Sequence, residues 1–283
     1  MIKPVDNAKH SDSDICPVWQ PVGYSTHQIS KQIGNLYRQK ASHTGTLDPL
    51  AEGVIIILLG EERFKKYELA GWKKTYEFEI AFGFGTDSYD AMGMIRQNGS
   101  ENMGLEKNEL GRTVAGFIGE YVQKVPLFSA TRYQGKRLFV HARSGMEIPD
   151  LPEKKGTIYK IELLDLMDAN LKDVVLEIIE NLNKIVGDFR QDPIIEEWKN
   201  FLKKPGITDT KIQIAKVKVV ISRGMYVRSL SQDIAKAAGV PGFVTSLTRT
   251  GNGMYTKKDC KTLEELFGKN YGRDLFVSTF TRI

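Results

Sequence analysis

The chain has 283 residues, a formal net charge of +5, 41% apolar and 27% charged residues, which is the composition of an ordinary soluble globular protein with a substantial core. No apolar run approaches the roughly 20 residues a spanning helix needs, so no membrane span is expected. Two cysteines, Cys16 and Cys260, form no CxxC, and the four histidines make no metal-ligand pair. This argues against a disulfide scaffold or a zinc site and suits a reducing, cytoplasmic setting.

Residues 1–17 lack the apolar segment of a signal peptide and read as a flexible polar lead-in. Ser25 and Gln28 then make a capping-box pattern ahead of Ile29, Ile33, Leu36 and Tyr37, which predicts a helix from Thr26 to about Arg38. Next comes "SHTGTLDPLAEGVIIILLG", residues 42–60, where Asp48 sits in a loop before the apolar run Val54 to Leu59. By itself that is a turn aspartate leading into a buried strand.

"TYEFEIAF" alternates strictly, with Tyr76, Phe78, Ile80 and Phe82 on one face, and runs into "GFGTDSYDAMG". The glycines there are no phosphate loop, since GxxxxGK[ST] is absent. From Tyr121 to Met146 there is no acid, while Lys124, Arg132, Lys136, Arg137 and Arg143 contribute +5. Phe128, Tyr133 and Phe139 are interleaved with them, a pattern suited to phosphates and unstacked bases. The competing reading is a solvated basic hairpin whose aromatics lie in the core.

A helical hairpin is expected at about 168–206. Leu171, Val174, Val175, Ile178, Ile179, Leu182, Ile185 and Val186 trace one face closed by Gly187. Asp192 then reads as the cap of a second helix with Pro193 in its first turn. With seven acids and six bases over 171–204, this hairpin suits packing better than phosphate binding. Ala215, Val217, Val219 and Ile221 read as a strand, and Val227, Leu230, Ile234, Ala235 and Ala238 as a helix stopped by Gly239 and Pro241. Strands and helices without a βαβ rhythm make this an α+β chain.

Taken together, these segments resemble the TruB family of tRNA pseudouridine-55 synthases. "HTGTLDPLAEGVIIILLGEERF" resembles the family's catalytic-aspartate motif, and "KKTYEFEIAFGFGTDSYDAMG" its tyrosine strand followed by TDxxDxxG. "VPLFSATRYQGKRLFVHARSG" resembles its basic RNA-gripping segment, "SRGMYVRSLSQDIAKAAG" its tyrosine-arginine motif, and "VTSLTRTGNGMY" its LxRxxxG element, with "KTLEEL" as the usual continuation. The five motifs occur in order over about residues 18–266, apart from the helical insertion.

The resemblance implies a pseudouridine synthase fold: a large mixed, mainly antiparallel sheet flanked by helices, filling a catalytic domain at 18–283. It implies that Asp48 is the catalytic carboxylate of uridine isomerisation at position 55 of the tRNA T-loop, acting on a flipped-out nucleotide. Arg228 is implied as its ion-pair partner, since a nearby guanidinium keeps a carboxylate charged. Tyr76 matches the tyrosine that stacks on the base and assists loss of the C5 proton; periodicity alone would make it core. His43 matches an RNA-contacting histidine, and Tyr226 and Leu247 fall on pocket-lining positions, where a turn aromatic and a core leucine are the plainer readings. No metal or organic cofactor is implied, and the expected partner is the tRNA T-arm stem-loop, with the protein a monomer needing no protein partner.

Four positions depart from the family pattern. Trp19 and Gln20 replace an acid and a lysine, Ser42 a glycine, and Glu52 a small residue; they bear on RNA affinity and on packing behind the catalytic loop. Only 17 residues follow Leu266, so the resemblance implies a form without the C-terminal PUA domain of many relatives. Three other readings compete: a guide-RNA-directed synthase, a non-catalytic tRNA-folding chaperone on the same scaffold, and a retaining glycosidase pairing Asp48 with Asp87 or Asp90.

Overall fold

The computed structural model describes residues 14–98, 104–146, 148–269, 271 and 274–277. Residues 1–13 of the expected lead-in lie outside these; its remaining apolar residues, Ile15 to Pro17, already belong to a strand. In chain order the elements begin with β1 (Ile15–Gln20), α1 (Thr26–Leu36), β2 (Ala41–His43), β3 (Glu52–Leu59), α2 (Lys66–Leu69), β4 (Lys74–Phe82), β5 (Phe84–Thr86) and β6 (Ile95–Asn98). There follow α3 (Lys107–Ala115), β7 (Gly119–Lys124), β8 (Arg132–Tyr133), β9 (Lys136–Arg137), α4 (Leu138–Arg143) and β10 (Glu153–Asn170). The last are α5 (Leu171–Asn183), α6 (Gln191–Leu202), β11 (Lys211–Ile221), α7 (Val227–Ala237), β12 (Gly242–Asn252), β13 (Tyr255–Thr256), α8 (Leu263–Phe267) and α9 (Asp274–Val277). No helix among the described residues is long and apolar enough to cross a membrane. The architecture is α+β.

The chain divides into two units, the first drawn from 1–72, 185–187 and 249–283, the second from 73–184 and 188–248. In the first, β3 pairs antiparallel with β1, from Ile15↔Leu58 to Gln20↔Gly53, and β2 pairs with its far end through His43↔Ile57. The last residues of β12 also neighbour β3. Val54 to Leu59 are at most 1% exposed, as their unbroken apolar run requires. Burying an aliphatic side chain of this size contributes about 1.5–3 kcal/mol, so β3 is a rigid base for the loop before it. Helix α1 starts at the expected capping box, with Ser25 and Gln28 each accepting from the other's backbone N–H. It stops at Leu36, two residues early, because Arg38 turns left-handed (φ 54°) and Gln39 N–H bonds back to the Gly34 carbonyl.

In the second unit the antiparallel order is β12–β4–β11–β10–β7. The β4 alternation is as read from sequence: Tyr76, Phe78, Ile80 and Phe82 are buried. Hairpin α5–α6 buries Leu171, Val175, Ile178 and Leu182 from one helix and Ile194, Ile195, Trp198 and Phe201 from the other. Its details differ from expectation. Helix α5 ends at Asn183, so Ile185 and Val186 are buried without being helical, and both group with the first unit. There Val186 N–H donates to the Gly23 carbonyl, and its own carbonyl accepts from the Gln28 amide. Asp192 is not the cap of α6; Arg190 is, in a left-handed conformation (φ 68°), which leaves Asp192 in the first turn.

Gly53 is the tightest backbone approach in the first unit. Its φ is +130°, and a Cβ there would lie 2.3 Å from the Arg249 carbonyl oxygen, a backbone atom that cannot swing away. Gly53→Ala is therefore expected to destabilise the protein by about 2–5 kcal/mol, read as a lower urea midpoint, from strain plus overpacking.

Candidate active site

Asp48 lies half-buried in the loop between β2 and β3, and its backbone is fixed by buried side chains of the same unit. Gln20, 0% exposed, donates its amide to the Asp48 carbonyl (3.3 Å) and the Ala51 carbonyl (3.4 Å). The Gln20 carbonyl oxygen accepts from Thr26 Oγ1 (2.7 Å), and that hydroxyl accepts from Leu47 N–H (2.9 Å). Arg249, 1% exposed, donates Nε to the Val54 carbonyl (2.6 Å) and Nη2 to the Gly45 carbonyl (3.0 Å). Strand, helix and guanidinium thus hold the loop on both sides of Asp48. Sequence reading placed Arg249 in a motif without giving it a task, because its partners are backbone atoms roughly two hundred residues away.

His43 ends β2 and its Nε2 bonds to Thr46 Oγ1 (3.1 Å). Burial is the main cause of a pKa lowered to about 4, with Lys66, His27 and Arg249 adding repulsion. His43 is therefore neutral at physiological pH. It lines a cavity of about 600 Å³ whose other charged or titratable residues are His27, Lys31, Lys40, Arg63 and Lys66, with no carboxylate among them. These bases escaped sequence reading since Glu61 and Glu62 stand beside Arg63 and mask any local excess.

In the second unit Tyr76 is 7% exposed. Arg228, near the start of α7, is 4% exposed, and its contacts include the Ser88 carbonyl on Nη1 (3.1 Å), the Phe128 carbonyl on Nη2 (3.2 Å) and an ion pair with Asp90, whose Oδ2 lies 3.5 Å from Nε. Asp90 is itself oriented by Ser88 Oγ (2.6 Å) and Met92 N–H (2.9 Å). Asp87 accepts from Met94 N–H and faces Arg190 and Arg96. Both acids are thus engaged with cations and amides, which leaves neither as the second carboxylate of a glycosidase. Asp90 belonged to the quoted motif, yet nothing in its spacing revealed that it orients an arginine 138 positions later.

Tyr226 caps α7; its N–H donates to Gln123 Oε1 (2.6 Å) and its hydroxyl pairs with Thr131 Oγ1 (3.0 Å), while Lys154 Nζ lies 5.0 Å from the ring. Leu247 is half-buried on β12. Lys124, Arg132, Lys136, Arg137 and Arg143 are all exposed. Strands β8 and β9 form a tight hairpin with Gln134 and Gly135 at positive φ, and its register sets Arg132 directly opposite Arg137. Of the aromatics, Phe139 lies 5.8 Å from the Arg137 guanidinium and 5.9 Å from that of Arg143, whereas Phe128 is covered by Arg190 at 4.1 Å. Phe128 thus packs within the protein, as the plainer reading of those rings expected.

Two solved structures share the fold: an H/ACA RNP bound to a substrate RNA containing 2′-deoxyuridine (17% identity, TM-score 0.53) and a Cbf5–Nop10–Gar1 complex (19%, TM-score 0.55), each covering 88% of this chain. The chain spans about half of those chains, 51% and 52%. The likeness to these structures is one of fold. Residues 33–181 match the family model described as TruB family pseudouridylate synthase, N terminal domain. The tRNA pseudouridine synthase B of Caldanaerobacter subterraneus subsp. tengcongensis is 33% identical over 88% of this chain and 72% of its own length. That of Halalkalibacterium halodurans is 28% identical over 95% of this chain and 77% of its own. The chain belongs to the TruB family of pseudouridylate synthases.

Two outcomes follow from the geometry of the loop. Gln20→Leu keeps the volume but leaves the Asp48 and Ala51 carbonyls without that donor, so stability falls by about 1–3 kcal/mol in chemical denaturation. For His43 the sign is set by a folded pKa lying below the ordinary 6.5: the unfolded chain takes up the proton first. The stabilisation from the neutral ring is complete above pH 6.5 and is lost as pH falls toward about 4. Between pH 7 and 5 the parent should lose about 1–2 kcal/mol more than His43→Gln, read from urea midpoints at each pH.

Proposed function

We propose that this chain converts the T-loop uridine at position 55 of tRNA to pseudouridine, with Asp48 as the catalytic carboxylate and no cofactor, in the cytoplasm. The support lies in the matched motifs, in the names of the relatives, and above all in one observation: the loop bearing Asp48 is moored by buried groups on both sides.

The reaction breaks the N1–C1′ bond of uridine, turns the freed uracil and joins C5 to C1′, after which the C5 proton leaves. Asp48 acts by adding to sugar or base, or by taking the C2′ proton. Arg228 supplies fixed positive charge for an anionic species, and its contacts with Ser88, Phe128 and Asp90 help pin that charge in place. Tyr76 stacks on the turning base and assists removal of the C5 proton, while Tyr226 and Leu247 line its pocket. Extruding the nucleotide costs a few kcal/mol, which phosphate contacts to Lys124, Arg132, Lys136, Arg137 and Arg143 offset. Neutral His43 contacts RNA as a hydrogen-bonding ring rather than as a cation, beside the cluster of Lys31, Lys40, Arg63 and Lys66.

A second reading, guide-RNA-directed action, draws on the shared fold alone. One assay separates the two. The parent protein, without added RNA or protein, should release tritium from C5 of an unmodified T-arm stem-loop, and Asp48→Asn should release essentially none while binding the RNA equally well. Equal inactivity of both would sink the stand-alone reading.

A further inference from the structure

The family resemblance leaves hairpin α5–α6 without a task, yet three of its side chains converge on one loop, residues 86–95, inside the second unit. Arg190 donates both Nη groups to the Asp87 carboxylate (3.2–3.4 Å) near the start of that loop. Trp198 Nε1 donates to the Ala91 carbonyl in its middle (3.3 Å), and Glu197 accepts from Ile95 N–H at its end (2.7 Å). The loop carries Ser88 and Asp90, both in contact with Arg228. The Phe128 carbonyl also accepts from Arg228, and the Phe128 ring lies 4.1 Å beneath the same Arg190 guanidinium.

One arginine of the hairpin therefore grips both segments whose oxygens fix another arginine. The contact is built at a cost. Arg190 has φ 68°, a conformation uncommon for a residue with a Cβ, and its N–H is held there by Asp188 Oδ1 (3.1 Å). Asp87 and Arg190 side chains are only 14% and 25% exposed, so the pair is sheltered from screening water. A hairpin serving only to cover apolar surface needs neither the left-handed residue nor the paired charge; Ile194, Ile195, Trp198 and Phe201 already bury it.

We propose that Arg190 is a positioning residue for Arg228: through Asp87 and Phe128 it fixes the oxygens that hold the Arg228 guanidinium, with Trp198 and Glu197 anchoring the rest of the loop. This rests on the reading above in which Arg228 serves the isomerisation. Arg190→Met keeps an aliphatic chain over Phe128 and removes the charge. Arg190→Lys keeps the charge and loses the planar fork that reaches the carboxylate and lies on the ring together.

The experiment measures tritium release on the T-arm stem-loop, at a temperature where every variant is folded by circular dichroism. Expected for Arg190→Met is a fall in kcat of about tenfold, since small misplacements of a reacting group cost that order, with KM within about twofold of the parent. Arg190→Lys should recover part of it. Asp87→Asn should resemble Arg190→Met, and the double variant should lose no more than either single one. Lys199→Ala, exposed on α6, should match the parent. An unchanged kcat in Arg190→Met with only a lower melting temperature, or losses that multiply in the double variant, would overturn the proposal. A readout independent of catalysis completes the test: the Arg228 guanidinium N–H signals, assigned by their loss in Arg228→Lys, should be slowly exchanging in the parent and fast in Arg190→Met. Should the parent itself release no tritium, the functional reading fails, and the exchange measurement still decides whether Arg190 fixes Arg228.

Discussion

The loop that carries Asp48 turns carbonyls toward the interior, and each needs a donor before the loop can hold one conformation. Gln20 meets that need with a neutral amide at full burial, donating to two carbonyls while accepting from Thr26. An ammonium at this position has donors only and would carry a charge into the interior, with the desolvation cost that entails. The glutamine thus holds the loop by hydrogen-bond matching rather than by charge. Arg249 completes the hold from the other side with a guanidinium that also seals the β3 backbone at Val54. A loop supported in this way holds the Asp48 backbone in one conformation.

Much of the fold was legible because burial leaves a period in the sequence. The β4 alternation, the unbroken apolar run of β3 and the Ser25–Gln28 box each translate into one local geometry. Where the period misled, the cause is identifiable. Ile185 and Val186 stay in phase with α5 because they are buried, yet the helix ends two residues before them. Periodicity records burial, not conformation. Strand β10 went unread as a strand because its register shifts between Ile158 and Lys160 and again between Leu163 and Asp165, each shift resetting the alternation. The Asp192 cap was the residue of the right type in nearly the right place, and a left-handed arginine took the position instead. At the candidate site the motifs named Asp48, Tyr76 and Arg228, but Gln20, Asp90 and Arg249 act through oxygens distant in sequence, many of them backbone, which leave no pattern to read.

The basic hairpin sets like charges against each other. Arg132 faces Arg137 across a pair of two-residue strands, an arrangement in which like charges oppose each other at close range. The turn itself is good: Gln134 and Gly135 both take positive φ, as a tight hairpin requires. Folding alone would favour an acid at one of the two arginines.

Arg228 poses the opposite problem, a charge almost wholly inside the protein. Its burial is made tolerable by contacts that include Asp90 and the Ser88 and Phe128 carbonyls, and removing any of them weakens the compensation of that charge. A planar guanidinium can meet several oxygens at once where an ammonium is a single point of charge, so lysine would keep the charge but not its orientation. Two of those oxygens are backbone atoms, from Ser88 and Phe128, and backbone is fixed only as well as the loop it belongs to. Rigidity at Arg228 is therefore borrowed from whatever braces residues 86–95 and Phe128. In this chain that brace includes α6 and the residue that caps it, which makes the packing of the insertion part of the electrostatics of the site.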